Sequence, residues 1–211
     1  MSTRAVIDPA TQPAQTARIA NVANALTLLR LLLVPVFVVV LVTDGGHSSG
    51  WRIWAFVVFA VATITDFVDG DLARSRGLVT DVGKVADPIA DKALTGAALI
   101  GLSALGDLPW WVTIVILVRE VGVTGLRFFV IRHGVIPASR GGKAKTFLQN
   151  IAIGLYLLPL SGWSASLRFW LLAAALVVTV VTGADYVARA LRLRQTSARA
   201  QMKRARRAAR P

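Results

Sequence analysis

The chain has 211 residues, no cysteine, 55% hydrophobic residues and a formal net charge of +13. Without cysteine there are no disulfides, no thiolate catalysis and no cysteine-ligated zinc or iron–sulfur centre. High apolar content and high positive charge coexist because they are segregated along the sequence, in apolar runs too long for a soluble core and in short basic connectors.

The stretch up to Arg18 is polar and holds Pro9 and Pro13, which predicts a flexible tail over 1–18. Residues 18–24 predict a short segment along a membrane surface. Six apolar stretches follow, at roughly 25–43, 53–73, 86–105, 110–131, 146–161 and 167–188. Most approach the ~20 residues that cross a hydrocarbon core. The fifth is short and holds Pro159. The first stretch is preceded by about two dozen residues and lacks a small-residue cleavage site, so it is expected to be a retained helix rather than a signal peptide. The expected fold is an all-α integral membrane protein with six transmembrane helices and an N-terminal interfacial segment. One membrane domain spans 19–190, and a basic cytoplasmic tail covers 191–211.

The connectors orient this bundle. Arg74, Arg76 and Lys84 lie between the second and third stretches, and Arg132, Arg140, Lys143 and Lys145 between the fourth and fifth. The C-terminal tail is basic as well, from Arg192 to Arg210. The connectors around 43–50, 106–109 and 161–166 contain no lysine or arginine. The basic side is cytoplasmic, which predicts a multi-pass protein of the plasma (inner) membrane with both termini inside. The arginine-rich tail has two readings, a solvated topology anchor or a helix on anionic membrane lipids. Nucleic acid is not an expected partner, because the arginines lack interleaved aromatics or a binding fold.

The second and third stretches carry Asp66 and Asp69, then Asp87 and Asp91. Spacings of three and four put each pair on one helix face. An aspartate at mid-membrane costs about 2.5–3.5 kcal/mol on insertion scales, so such residues mark function. Four acids on neighbouring helices repel unless cations stand between them. Hard divalent ions such as Mg²⁺ or Mn²⁺ choose carboxylate oxygens, and two such ions can clamp a phosphoryl group. Gly70 and Gly83 leave room for a ligand near the backbone, and Arg74 is placed to meet an anion. The other reading is an ion pathway or proton relay, as in a divalent-cation transporter, or an acid paired with a lysine such as Lys92. It leaves Gly70, Ala73, Arg74 and Gly83 unexplained.

The segment from Asp66 to Asp91 resembles the signature of the CDP-alcohol phosphotransferase family, D-x2-D-G-x2-A-R-x8-G-x3-D-x3-D. Every fixed position is present: Asp66, Asp69, Gly70, Ala73, Arg74, Gly83, Asp87 and Asp91. The resemblance implies a six-helix membrane fold, usually a homodimer, with two Mg²⁺ or Mn²⁺ ions. It implies Asp66, Asp69 and Asp87 as metal ligands, and Asp91 as general base that also touches the second metal. Gly70, Arg74 and Thr80 are implied contacts to the cytidine diphosphate moiety, with Ala73 and Gly83 in the same donor segment. The implied reaction is attack of an alcohol oxygen on the lipid-linked β-phosphate of a CDP-linked donor, with release of CMP.

The motif does not name the acceptor. Three other regions resemble the phosphatidylglycerophosphate synthase branch of that family: Ile19 to Arg30, Arg119 to Arg127, and Gly142 to Thr146. Ala23 departs from the pattern, where many relatives have proline. This likeness implies CDP-diacylglycerol as donor and glycerol 3-phosphate as acceptor. Phosphatidylglycerol, as in a cardiolipin synthase of the CDP-alcohol type, and an inositol phosphate are the alternative acceptors.

A phosphate-bearing acceptor needs cations. The candidates are Arg119, Lys143 and Lys145, with Arg127 as a further one. The structural alternatives are an Arg119–Glu120 ion pair and positive-inside anchoring by the two lysines. Asn24 and Thr27 share a face at the start of the first span, to bind the nucleotide or to cap the helix. Asp185 and Arg189 predict an i, i+4 salt bridge. His47 and His133 are too far apart to suggest a metal pair, and Trp110 and Trp111 fit an outer aromatic belt.

Overall fold

The computed structural model describes the backbone over 12–75, 81–130 and 140–196, and side chains over 25–66, 89–90, 92–126 and 144–193. Six α-helices make up the described residues: α1 Gln12–Val42, α2 Ser49–Ser75, α3 Asp81–Ala104, α4 Trp110–Val130, α5 Arg140–Leu157 and α6 Trp163–Thr196. One 3₁₀ turn, Thr43–Gly46, joins α1 to α2. Each expected apolar stretch falls on its own helix, with α1, α3 and α4 each ending just before its last residue and α5 ending earlier, at Leu157. The all-α expectation holds in these terms.

Helices extend past the apolar stretches at both ends of the chain. α1 begins at Gln12 and runs unbroken through 18–24, where the sequence suggests a tail and then a surface segment. Pro13 is compatible with this start, because a helix's first turn has no use for the proline N–H. The alanine-rich run that follows has high helix propensity. At the other end α6 continues to Thr196, past the apolar stretch that ends near 188. Between them, α5 stops at Leu157, two residues before Pro159, as proline's steric demands require.

The described helices group into two compact units, 1–101 and 102–211. In the first, α1 packs against α2. Phe37 and Phe59 meet with ring centroids 5.9 Å apart, and Leu41, Ala55 and Ala62 are buried. Gly101 of α3 lies so close to Leu41 that a Cβ there would fall 2.6 Å from its Cδ2. The 3₁₀ turn is fastened by Arg52, whose Nη1 donates to Gly46 O at 3.4 Å.

In the second unit, α6 packs against both α4 and α5. Ile116, Ala152, Ile153, Leu157, Leu172 and Ala175 form its core. Ser103 and Thr113 share a buried hydrogen bond at 2.7 Å, and the Arg168 guanidinium stands 5.0 Å above the Tyr156 ring.

Both units expose large apolar side chains along whole helix faces. Leu32, Val39, Trp54 and Ile64 do so in the first unit, and Val118, Val121, Trp170 and Val181 in the second. Contiguous exposure of this kind marks a surface built for lipid or protein rather than water. Among the described residues, two segments are long and apolar enough to cross a membrane, Ala25–Gly46 and Trp163–Leu193.

Candidate active site

The first group of polar residues forms where α1 meets α2. Thr27 and Arg30 are one turn apart on α1, and both are buried, Arg30 to 1% exposure. A buried guanidinium costs several kcal/mol unless a counter-charge meets it. Asp66 of α2 supplies that charge: Arg30 Nη1 lies 2.6 Å from Asp66 Oδ1. The Asp66 side chain keeps 36% exposure, so the pair reaches from the interior to an accessible carboxylate.

The helix backbones carry the rest of the aspartate motif. Asp69, Gly70, Ala73 and Arg74 follow Asp66 on α2, which stays helical to Ser75. Gly83, Asp87 and Asp91 lie on α3, which starts at Asp81. Positions 66 and 69 are therefore one turn apart on one helix, and 87 and 91 one turn apart on the next. The side chains of Asn24, Asp69, Arg74, Asp87 and Asp91 lie outside the described residues, as does Thr80 altogether. Among the described residues no group of three or more histidines and acids forms a metal cluster.

The second group lies in the other unit and centres on Glu120. Arg119 Nη1 donates to Glu120 Oε1 at 3.0 Å, and Lys145 Nζ donates to the same oxygen. Lys145 is buried, at 4% exposure. It therefore sits inside the helix packing rather than in the solvated position of a topology anchor. Arg119 also reaches α6: Nε donates to Thr179 O at 3.2 Å and Nη2 to Thr182 Oγ1 at 3.0 Å. Thr182 Oγ1 in turn donates a hydrogen bond to Val178 O at 2.7 Å. These bonds use three of the five N–H groups of Arg119.

Gly183 makes this seat possible. A Cβ there would stand 3.0 Å from Arg119 Cγ and 3.3 Å from its Nε. Among the described residues, two cations, Arg119 and Lys145, face the one Glu120 carboxylate. Low-dielectric surroundings strengthen the attraction of such cations for an anion. Of the other acceptor candidates, Arg127 lies on α4 and Lys143 on α5, with side chains outside the described residues. Asp185 and Arg189 form the expected salt bridge at 2.9 Å, both about half exposed.

Sequence reasoning gives no role to Arg30, Thr179, Thr182 or Gly183. Arg30 does carry a signal, a lone charge inside an apolar run. Its counter-charge stands on the next helix, beyond the reach of i, i+3 and i, i+4 spacing. The small and polar residues of α6 at 179, 182 and 183 follow helical spacing, but nothing local names Arg119 as their partner.

A family model described as CDP-alcohol phosphatidyltransferase matches residues 20–181. A probable phosphatidylglycerophosphate synthase of Mycobacterium tuberculosis is 59% identical over 170 residues, covering 79% of this chain and 81% of the relative. A CDP-diacylglycerol–glycerol-3-phosphate 3-phosphatidyltransferase of Bacillus subtilis is 38% identical, covering 73% and 86%. A CMP-forming cardiolipin synthase of Streptomyces coelicolor is 36% identical, covering 64% of each chain. The matched region contains the aspartate motif and reaches the Thr179 seat of Arg119, and the chain belongs to the CDP-alcohol phosphatidyltransferase family.

Proposed function

We propose that the chain transfers the phosphatidyl group of CDP-diacylglycerol to glycerol 3-phosphate, giving phosphatidylglycerophosphate and CMP. The observation that carries this reading is the aspartate motif, complete in residue type and spacing, on the consecutive helices α2 and α3. The names of the Mycobacterium and Bacillus relatives support glycerol 3-phosphate as the acceptor.

In this reading the aspartate motif handles the donor and the proton. Asn24, Thr27, Gly70, Ala73, Arg74, Thr80 and Gly83 bind the cytidine diphosphate portion. The family generally uses a divalent metal. The donor set here is carboxylate throughout, as a hard ion demands, and Arg30 stands beside one oxygen of Asp66. Asp66, Asp69, Asp87 and Asp91 would hold two Mg²⁺ or Mn²⁺ ions, which when bound neutralise charge on the pyrophosphate. Asp91 accepts the proton of the acceptor's primary hydroxyl as its oxygen bonds to the β-phosphorus. The bond from that phosphorus to the bridging oxygen breaks, and CMP leaves with the electron pair.

Holding the acceptor's phosphate is the role of the cations on α4 and α5. Arg119 and Lys145 supply positive charge, and Arg127 and Lys143 add to it. Arg119 retains N–H groups beyond the three engaged in the seat. A phosphate could therefore bind without dismantling the bonds to Glu120, Thr179 and Thr182.

The family is an integral membrane family. The six helices serve as spans, with both termini and the site on the cytoplasmic side and a homodimer as the working unit. The exposed apolar faces and the basic connectors support the membrane part of this reading.

The Streptomyces relative favours phosphatidylglycerol as the second reading of the acceptor. Purified protein given CDP-diacylglycerol and Mg²⁺ or Mn²⁺ decides by CMP release. Release with glycerol 3-phosphate supports the first reading; release confined to phosphatidylglycerol installs the second.

A further inference from the structure

Two buried polar groups in the second unit have no hydrogen-bond partner among the described residues: Gln149 Oε1 and Thr179 Oγ1. Gln149 is 3% exposed and Thr179 fully buried. Unpaired buried groups of this kind are costly, and natural proteins keep few of them without a reason.

Their positions relate them to the Glu120 cluster. Gln149 stands one turn beyond Lys145 on α5, hence on the same helix face. Thr179 stands one turn from Thr182 and Gly183 on α6, and its carbonyl accepts Arg119 Nε. The helices α5 and α6 are consecutive, packed and joined by the short segment 158–162. Going from Lys145 to Gln149, and from Thr182 to Thr179, is movement towards that joining segment in both cases. Both orphaned groups therefore flank the cation cluster on the same side.

Thr179 also differs from three other helix threonines. Thr65, Thr124 and Thr182 each donate to the carbonyl four residues earlier, at 2.7 Å. Thr179 Oγ1 makes no such bond. Its proton and lone pairs remain for something outside the helix backbone. Gln149 offers the complementary function, a carbonyl oxygen that accepts an O–H.

We propose that Gln149 and Thr179 read a hydroxyl of the acceptor, so that this unit selects a phosphorylated polyol by charge at Arg119 and Lys145 and by hydrogen bonds beside them. The inference rests on the reading of that cluster as the acceptor-phosphate site. Glycerol 3-phosphate has a primary hydroxyl to attack the donor and a secondary hydroxyl that takes no part in the bond changes. The secondary hydroxyl is the group for a buried amide and a buried threonine to recognise. A site built to hydrogen-bond a hydroxyl discriminates strongly against the analogue that lacks it, because its own polar groups then stay unpaired.

The experiment compares glycerol 3-phosphate with 3-hydroxypropyl phosphate, which keeps the primary hydroxyl and the phosphate but lacks the secondary hydroxyl. The readout is the ratio of kcat/KM for the two acceptors in the full-length enzyme, a ratio that does not depend on the active fraction of a preparation. The wild type should prefer glycerol 3-phosphate by at least about tenfold. Gln149→Leu and Thr179→Val should each bring the ratio down by about threefold or more, with Gln149→Met replacing the leucine variant if that one does not fold. A wild-type ratio near one, or a ratio unchanged in the variants, overturns the inference. Lys145→Gln separates this failure from failure of the phosphate reading. If the phosphate reading holds, it raises KM for both acceptors by the same factor; if both KM values stay put, the phosphate site lies elsewhere.

Discussion

Arg30 and Asp66 join α1 to the aspartate motif through a contact of 2.6 Å, with the guanidinium at 1% exposure and the carboxylate at 36%. The relationship links an unassigned arginine to the first acid of the motif. It sets a positive charge beside one carboxylate oxygen of that acid. It also offsets the charge that an isolated buried guanidinium would bring into the packing of α1 on α2.

Removing the arginine should therefore harm both stability and the site. Arg30→Met is expected to destabilise by about 2–3 kcal/mol, below the 3–5 kcal/mol typical of a fully buried pair because Asp66 is partly exposed. A thermal melt of Arg30→Met, Asp66→Asn and the double variant checks this. The pair should show a coupling of at least about 1 kcal/mol. Additive losses would mean that the two residues act separately.

Asp91→Asn is expected to abolish turnover while leaving substantial CDP-diacylglycerol binding. The amide keeps the size of the side chain and loses its capacity to take a proton. Donor binding measured by calorimetry, beside CMP release, distinguishes the outcomes. Full activity would remove Asp91 from the base role.

Gly183→Ala tests the seat of Arg119. The added methyl group would sit 3.0 Å from Cγ, so the arginine stem must move by a few tenths of an ångström or more. The expected result is a KM for glycerol 3-phosphate raised about threefold to tenfold, with the KM for CDP-diacylglycerol unchanged, in line with the sensitivity of charged contacts to small displacements. Equal changes in both KM values would assign Gly183 to helix packing alone.

Lys143→Ala should raise the KM for glycerol 3-phosphate by about an order of magnitude or less, as loss of one cation near a phosphate does. An unchanged value returns Lys143 to anchoring the topology. Lys145 differs from it in kind: its ammonium is buried against Glu120, so Glu120→Gln is expected to disturb Lys145 and Arg119 together.

Much of this fold is legible in the sequence because its signals are local. Apolar length, proline position and connector charge locate six helices, and motif spacing places acids on α2 and α3. The start of α1 escapes such a reading, because a polar, alanine-rich segment with Pro13 resembles a tail yet also satisfies the rules for a helix's first turn. The site is legible where it is written in consecutive turns, from Asp66 to Asp91. Its supports at Arg30, Gln149, Thr179 and Gly183 are not, because each depends on a neighbour from another helix. Glu120 is visible as a partner for Arg119, being adjacent in sequence. Its second partner, Lys145, is 25 residues away and emerges only from the packing of the helices.

The most direct test of the proposed activity is CMP release by the purified protein from CDP-diacylglycerol with Mg²⁺ or Mn²⁺, with the acceptor varied. CMP is expected with glycerol 3-phosphate, phosphatidylglycerophosphate as the co-product, and no release with phosphatidylglycerol or inositol phosphate at matched concentration. CMP appearing with phosphatidylglycerol and not with glycerol 3-phosphate would contradict it.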